Sequence, residues 1–352
     1  MRKSLCIVIA LLLGPSTLTA DEPINTAEAF PKPRTTRSDE PMAEKFSLQR
    51  GAEYLDGAAM AWLRERKCAS CHTSYPFVLA RGMIGDTKAP ALLVMRKFLD
   101  DRINGWDAGG KGVGLPAEED EAVTEVVATA ATLALFDRQT TGKLQPNTRR
   151  ALDRMWTLQR SDGAWTWNQH QLPPQELDEY YGAVYAAIGV GHAPDGYSKG
   201  DSAKEGVAAL RRHLAKNPPP NLHHKLLLAW ASFQLDGLMT PADRDRTLRE
   251  VSALQREDGG WNLPSLGNWK RLDGQPNDPN APSDGYATGL VLYILKLSGQ
   301  ESNKSIERGL AWLKSNQRAS GRWFTRSLNA DRAHYTTNAG SAYALMALKS
   351  WE

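Results

Sequence analysis

Cysteine is nearly absent. The 352-residue chain holds three, and Cys6 falls inside the apolar part of an N-terminal leader. That leaves Cys68 and Cys71 for the mature chain. Two cysteines without a second pair, or a paired His at a suitable spacing, do not make a four-ligand zinc site. A thioredoxin-like pair would sit in a βαβ context, which the surroundings lack. Long apolar runs are missing too: beyond residue 20 no stretch is long and apolar enough to span a bilayer. So is charge of one sign. Lys and Arg number 43 against 40 Asp and Glu, a net +3 that falls to about +1 without Arg2 and Lys3. A surface so balanced suggests neither nucleic acid nor an anionic membrane as partner. Neither Gly-x-Ser-x-Gly nor His-Glu-x-x-His occurs. Gly109-Gly110-Lys111-Gly112-Val113-Gly114 has a phosphate loop's glycines but no preceding strand and no Lys-Ser/Thr ending, so it reads as a flexible connector. His223 and His224 are adjacent and point in different directions, which argues against joint metal binding.

The cysteines that remain are placed tellingly. Lys67-Cys68-Ala69-Ser70-Cys71-His72 is the attachment pattern for c-type haem. Two thiols about one helical turn apart can each form a thioether with a haem vinyl group, and the adjacent imidazole then reaches the iron as an axial ligand. The competing readings are a disulfide or half of a zinc site. The expected cofactor is one covalent haem c, held by Cys68 and Cys71 with His72 on the iron.

Residues 1–20 carry a positive start at Arg2 and Lys3, an apolar core from Cys6 to Leu13, and a small-residue end at Ala20. This is the pattern of a signal peptide, too short for a span, and it predicts a periplasmic or otherwise exported protein that is not integral to the membrane. Residues 21–50 hold four prolines and many charges without apolar period, the composition of a flexible linker. Residues 51–352 remain for a single large domain.

Internal repeats organise that domain. Gln159-Arg160-Ser161-Asp162-Gly163-Ala164-Trp165 is echoed by Gln255 to Trp261 and by Gln317 to Trp323. Each closes an amphipathic helix, and each is followed by a helix of small and apolar residues that should be buried. With weaker units the count reaches six helix pairs, at about 53–84, 89–137, 145–191, 201–237, 241–298 and 302–351. Pairs of this kind stack to bury their faces. Six of them suggest a closed ring with the apolar helices inside. Setting Ala61-Trp62-Leu63 over Ala311-Trp312-Leu313 puts Lys67 on Gln317, Cys71 on Gly321 and Thr73 on Trp323. The haem motif therefore replaces the turn of the first repeat.

The QxxxGxW turns resemble the QW repeats of squalene–hopene cyclases and the related prenyltransferase repeats. The resemblance implies an all-α fold, the α6/α6 toroid. It does not carry either chemistry over. The acidic DxDD of the cyclases is absent, and Glu118-Glu119-Asp120-Glu121 reads as the start of a helix, where the dipole favours carboxylates. Asp284-Gly285-Tyr286 matches the zinc-binding Asp of the protein prenyltransferases but has Tyr where the Cys should be.

The resemblance also implies that the outer-to-inner turns surround one mouth of the central cavity. The haem turn would lie there beside Asp178, Glu179, Tyr180, Asp284, Tyr286, His334 and Tyr335. His334 is the expected sixth iron ligand or distal acid–base group, with Met83 and then Met95 as competing ligands. His334, Tyr335 and Asp284 are the catalytic candidates. The expected function is electron transfer with a redox partner protein, or haem-dependent oxidation of an apolar small molecule bound in the barrel. The alternative is an isoprenoid-binding or scaffold toroid without redox chemistry.

Overall fold

The structure is a computed structural model describing residues 26–106 and 118–352. The leader at 1–20 and the Gly-rich connector at 109–114 lie outside the described residues. The fold is an all-helical α/α toroid. Its helices pair in chain order: α1 (Leu48–Arg66) with α2 (Ser74–Ile84), α3 (Pro90–Gly105) with α4 (Glu119–Thr140), and α5 (Pro146–Thr157) with α6 (Glu179–His192). Then come α7 (Asp201–Lys216) with α8 (Leu222–Ser232), α9 (Pro241–Ser252) with α10 (Gly285–Leu297), and α11 (Lys304–Ser315) with α12 (Thr336–Ser350).

Burial separates the two members of each pair. Helix α5 buries only Thr148, Ala151, Leu152 and Met155, one stripe at helical spacing, and α11 buries Ile306, Gly309, Trp312 and Leu313. Such stripes belong to outer helices. By contrast α10 is buried from Gly285 through Leu295. The second helices touch in sequence around a closed circle: α2 on α4, α4 on α6, α6 on α8, α8 on α10, α10 on α12, and α12 back on α2. Small residues set the spacing. A Cβ on Gly289 of α10 would collide with the Tyr343–Ala344 backbone of α12, so this seam closes only around glycine.

The three QW turns are built alike. Gly163, Gly259 and Gly321 have φ of 90°, 94° and 96°, a left-handed conformation that glycine adopts without a side-chain penalty. The indole N–H of Trp165, Trp261 and Trp323 donates to the carbonyl of Met155, Val251 and Leu313, at 2.8, 2.9 and 2.7 Å. Each Gln bonds its own turn and the next outer helix along the ring. Gln159 Nε2 donates to Gly163 and Gly206, and Gln255 Nε2 to Gly259 and Ser305. Gln317 Nε2 donates to Gly321 and to the carbonyl of Ser47, the residue that caps α1, while its Oε1 accepts the Ser47 N–H at 2.8 Å. The last repeat thus fastens itself to the first.

Residues 26–47 fall within the stretch expected as a flexible linker, and here they are docked. The Arg322 guanidinium, 1% exposed, meets Glu40 at 2.9 Å and donates to Thr36 Oγ1 and the Arg34 carbonyl. Ala43 N–H donates to Gln317 O, and Ala319 N–H to Pro41 O. The strap crosses the seam between the first and sixth pairs, and its polarity serves those bonds.

Candidate functional site

The first turn differs from the others. Elsewhere a long loop separates the Trp from the inner helix: α6 begins at Glu179 after Trp165, α10 at Gly285 after Trp261, α12 at Thr336 after Trp323. Here α2 starts at Ser74, directly after His72-Thr73. Lys67 ends α1 in the left-handed region at φ 54°, its N–H on Leu63 O. The Ser70 carbonyl accepts from Ser74 and Tyr75 N–H, so the first turn of α2 hangs on the motif. Cys68 is half-buried, Cys71 is buried, and both are free thiols.

His72 is enclosed by residues from both sides of the ring seam. Its imidazole stacks on Tyr335 with centroids 5.0 Å apart and planes 16° apart, and it meets Trp62 edge-on at 4.6 Å. Nδ1 lies 2.8 Å from Thr73 Oγ1. Asn338 Nδ2 donates to that same oxygen at 2.9 Å, and Tyr54 OH donates to Asn338 Oδ1 at 2.6 Å. With Nδ1 engaged in this way, Nε2 is the ring nitrogen left for a metal, and the outer hydrogen bonds fix the ring angle. Burial lowers the His72 pKa although Glu176 works against it. The ring is therefore held neutral, the form that binds a metal.

A carboxylate completes the turn. Residues 172–176 make a small hairpin, Leu172 and Glu176 exchanging two backbone hydrogen bonds of 3.1 and 3.0 Å. It carries the buried Glu176 to the turn, where the carboxylate faces the Cys71 backbone N–H and thiol. His170 bridges it to the next wall, 3.4 Å from Glu176 and 3.2 Å from Glu121. Burial pushes the Glu176 carboxyl up, but His170, His72 and the Cys71 N–H together bring it below the ordinary range. Burial, reinforced by that anion, pushes the Cys71 thiol well up, and burial raises Cys68 as well. Both sulfurs remain thiols at neutral pH. Such sulfurs are poor thiolate nucleophiles. Addition of S–H across a vinyl double bond consumes the thiol hydrogen and is open to them. The motif's residues therefore fit a covalent haem: two free thiols and a neutral imidazole with one nitrogen already engaged.

The expected distal groups are not assembled at His72. The ring against it is Tyr335, whereas its neighbour His334 accepts the Ser327 N–H at 3.2 Å and meets Phe324 edge-on at 5.1 Å. Met83 lies in the last turn of α2, about 13 Å along the helix axis from Ser74, where the helix begins, at 1.5 Å per residue. Met95 is buried in α3. Asp284 caps α10, accepting Ala287 N–H at 2.9 Å and Leu263 N–H at 2.6 Å, so its carboxylate is occupied by structure. Asp178 caps α6 and lies 3.3 Å from His224, and Glu179 pairs with Arg160. Tyr180 is buried beside His224. No motif marks Glu176 or Asn338, and only ring closure brings them to the turn; Trp62 is marked by the repeat alignment alone.

The barrel axis is lined with aromatics. Tyr286 of α10 and Tyr343 of α12 lie 5.0 Å apart, and His223 Nε2 of α8 is 3.1 Å from Tyr286 OH. Tyr181 and Tyr185 of α6 stack at 5.9 Å, and Tyr185 bonds Thr132 of α4. All are buried. Behind Trp62 and Tyr335 a cleft of about 250 Å³ opens under the strap, lined also by Tyr54, Asn338 and Arg322.

No known family profile matches the chain, and no curated protein matches it. Solved structures do. A protein from Actinoplanes superposes with a TM-score of 0.50 at 15% identity, over 86% of this chain and 98% of that one. The ent-copalyl diphosphate synthase from Streptomyces platensis gives 0.51 at 14% identity, over 94% and 67%. The type II terpene cyclase MstE from Scytonema gives 0.47 at 14%, over 94% and 97%. The likeness of the first two is one of fold. It agrees with the toroid expected from the repeats and assigns no chemistry.

Proposed function

We propose that this chain is an exported monohaem c-type cytochrome built on a terpenoid-cyclase-like toroid. Cys68 and Cys71 would hold the haem, and His72 would hold its iron through Nε2. The haem would supply one-electron redox chemistry. The protein's part is to fix the axial imidazole through Thr73, Asn338 and Tyr54, and to keep both sulfurs protonated until they are joined. The observation that carries this reading is the anchored Nδ1 of His72 beside two free thiols in one short turn. The signal-peptide pattern at 1–20 supports export to the periplasm, where such thioethers would form.

Electron transfer is favoured over oxidation of a molecule inside the barrel. Tyr181, Tyr185, Tyr286, Tyr343 and His223 occupy the axis that a substrate would need. The decisive experiment is expression with a cytochrome-maturation system, followed by optical spectra of oxidised and reduced protein with and without carbon monoxide. A covalent haem spectrum that disappears in Cys71→Ser and His72→Ala is the expected result. A colourless protein made beside working maturation machinery removes the cytochrome. Rapid carbon monoxide binding would replace the carrier with an open-site oxidase.

A further inference from the structure

We propose that the cleft behind Trp62 and Tyr335 binds a small aromatic anion. Its walls come from the docked strap, from α1 and from the loop before α12. The apolar part is Trp62 and Tyr335, whose rings lie 5.4 Å apart and nearly perpendicular. Such an arrangement offers a flat ligand one edge and one face. The charged part is basic. Of the cationic side chains at the rim, Lys32 is taken by Glu65 at 2.7 Å and Arg322 by Glu40 at 2.9 Å. Arg34 and Arg332 also line the cleft and carry no ion pair among the described residues, and guanidinium forks match carboxylates in two-point contacts. A volume of about 250 Å³ suits a one- or two-ring compound and is too small for a porphyrin.

None of Cys68, Cys71 and His72 lines the cleft. His72 turns Nδ1 towards Thr73 and Asn338, and Asn338 lines the cleft. The occupant would therefore touch the two rings packed on His72. Binding here does not depend on the cytochrome reading.

The test is calorimetric titration of the full chain with 2-naphthoate. Saturable one-to-one binding is expected, weakened at least about tenfold in the Arg34→Glu/Arg332→Glu double variant, because reversed charge repels the ligand. Lys216→Glu, exposed at the end of α7, should bind as the parent does. Absence of binding by the parent, or equal binding by the double variant, overturns the proposal. So does equally tight binding of uncharged 2-naphthalenemethanol. A colourless protein that binds naphthoate would remove the cytochrome and leave this site standing.

Discussion

The His72 imidazole lies parallel to the Tyr335 phenol ring, 5.0 Å away, so the motif of the first helix pair is covered by the loop that introduces the last inner helix. Asn338 makes the same connection by hydrogen bonds, to Thr73 on one side and Tyr54 on the other. Asn338→Leu leaves both partners short and should cost about 1–3 kcal/mol. Tyr54→Phe in that background should recover part of the loss, a coupling that denaturant unfolding of the four proteins would measure.

Gly321 and Gly274 form a second comparison. Both have positive φ, 96° and 75°. A Cβ on Gly274 meets nothing, so Gly274→Ala should cost only the left-handed penalty of about 1–2 kcal/mol. A Cβ on Gly321 would collide with the Arg50 carbonyl, and Gly321→Ala should cost clearly more. Thermal midpoints separate the two.

Gln317→Ala tests ring closure. It strips the partners from the Ser47 N–H and the Gly321 carbonyl and leaves the Ser47 carbonyl with Gly51 N–H alone, for an expected loss of about 2–4 kcal/mol. Hydrogen exchange should rise first at the amino end of α1, because the broken bonds are the ones that hold it to the sixth pair.

Arg322→Leu tests the strap. Glu40 is left without its guanidinium, which in a partly buried pair costs about 3 kcal/mol. Limited proteolysis within residues 30–45 should follow, at sites protected in the parent.

Asp284 titrates out of range. Burial pushes its carboxyl up to about 6, against the pull of the backbone donors. A folded pKa above the unfolded one means a contribution that is complete below about pH 4 and is lost as pH rises through about 6. Asp284→Asn lacks this slope. The variant should gain on the parent between pH 4 and 7 by roughly 2–3 kcal/mol, two pKa steps' worth. Unfolding curves across that range check it, and a constant difference would refute the shift.

Much of this architecture was written in the repeats. The Gln, Gly and Trp of each turn have fixed jobs, so three copies were enough to set the register of the remaining pairs and to place the haem motif at a joint. Neighbours across the seam were not legible. Adjacent loop residues His334 and Tyr335 look equivalent on paper, and only the path of the chain decides which ring meets His72. Met83 follows His72 closely in sequence, but the straight rise of α2 carries it to the far end of the ring. The strap misled by composition. Proline and charge usually mark a tether, and here the polar groups of Thr36, Glu40 and the backbone satisfy a buried arginine.

Closure by Gln317 on Ser47 has a temporal side. Trp62 and the motif are made early, whereas Tyr335 and Asn338 follow more than 260 residues later. A nascent chain would display Cys68, Cys71 and His72 uncovered until the sixth helix pair arrives to wall them in. Any enzyme that modifies those thiols would work best during that interval, and a finished ring would be a poor substrate for it.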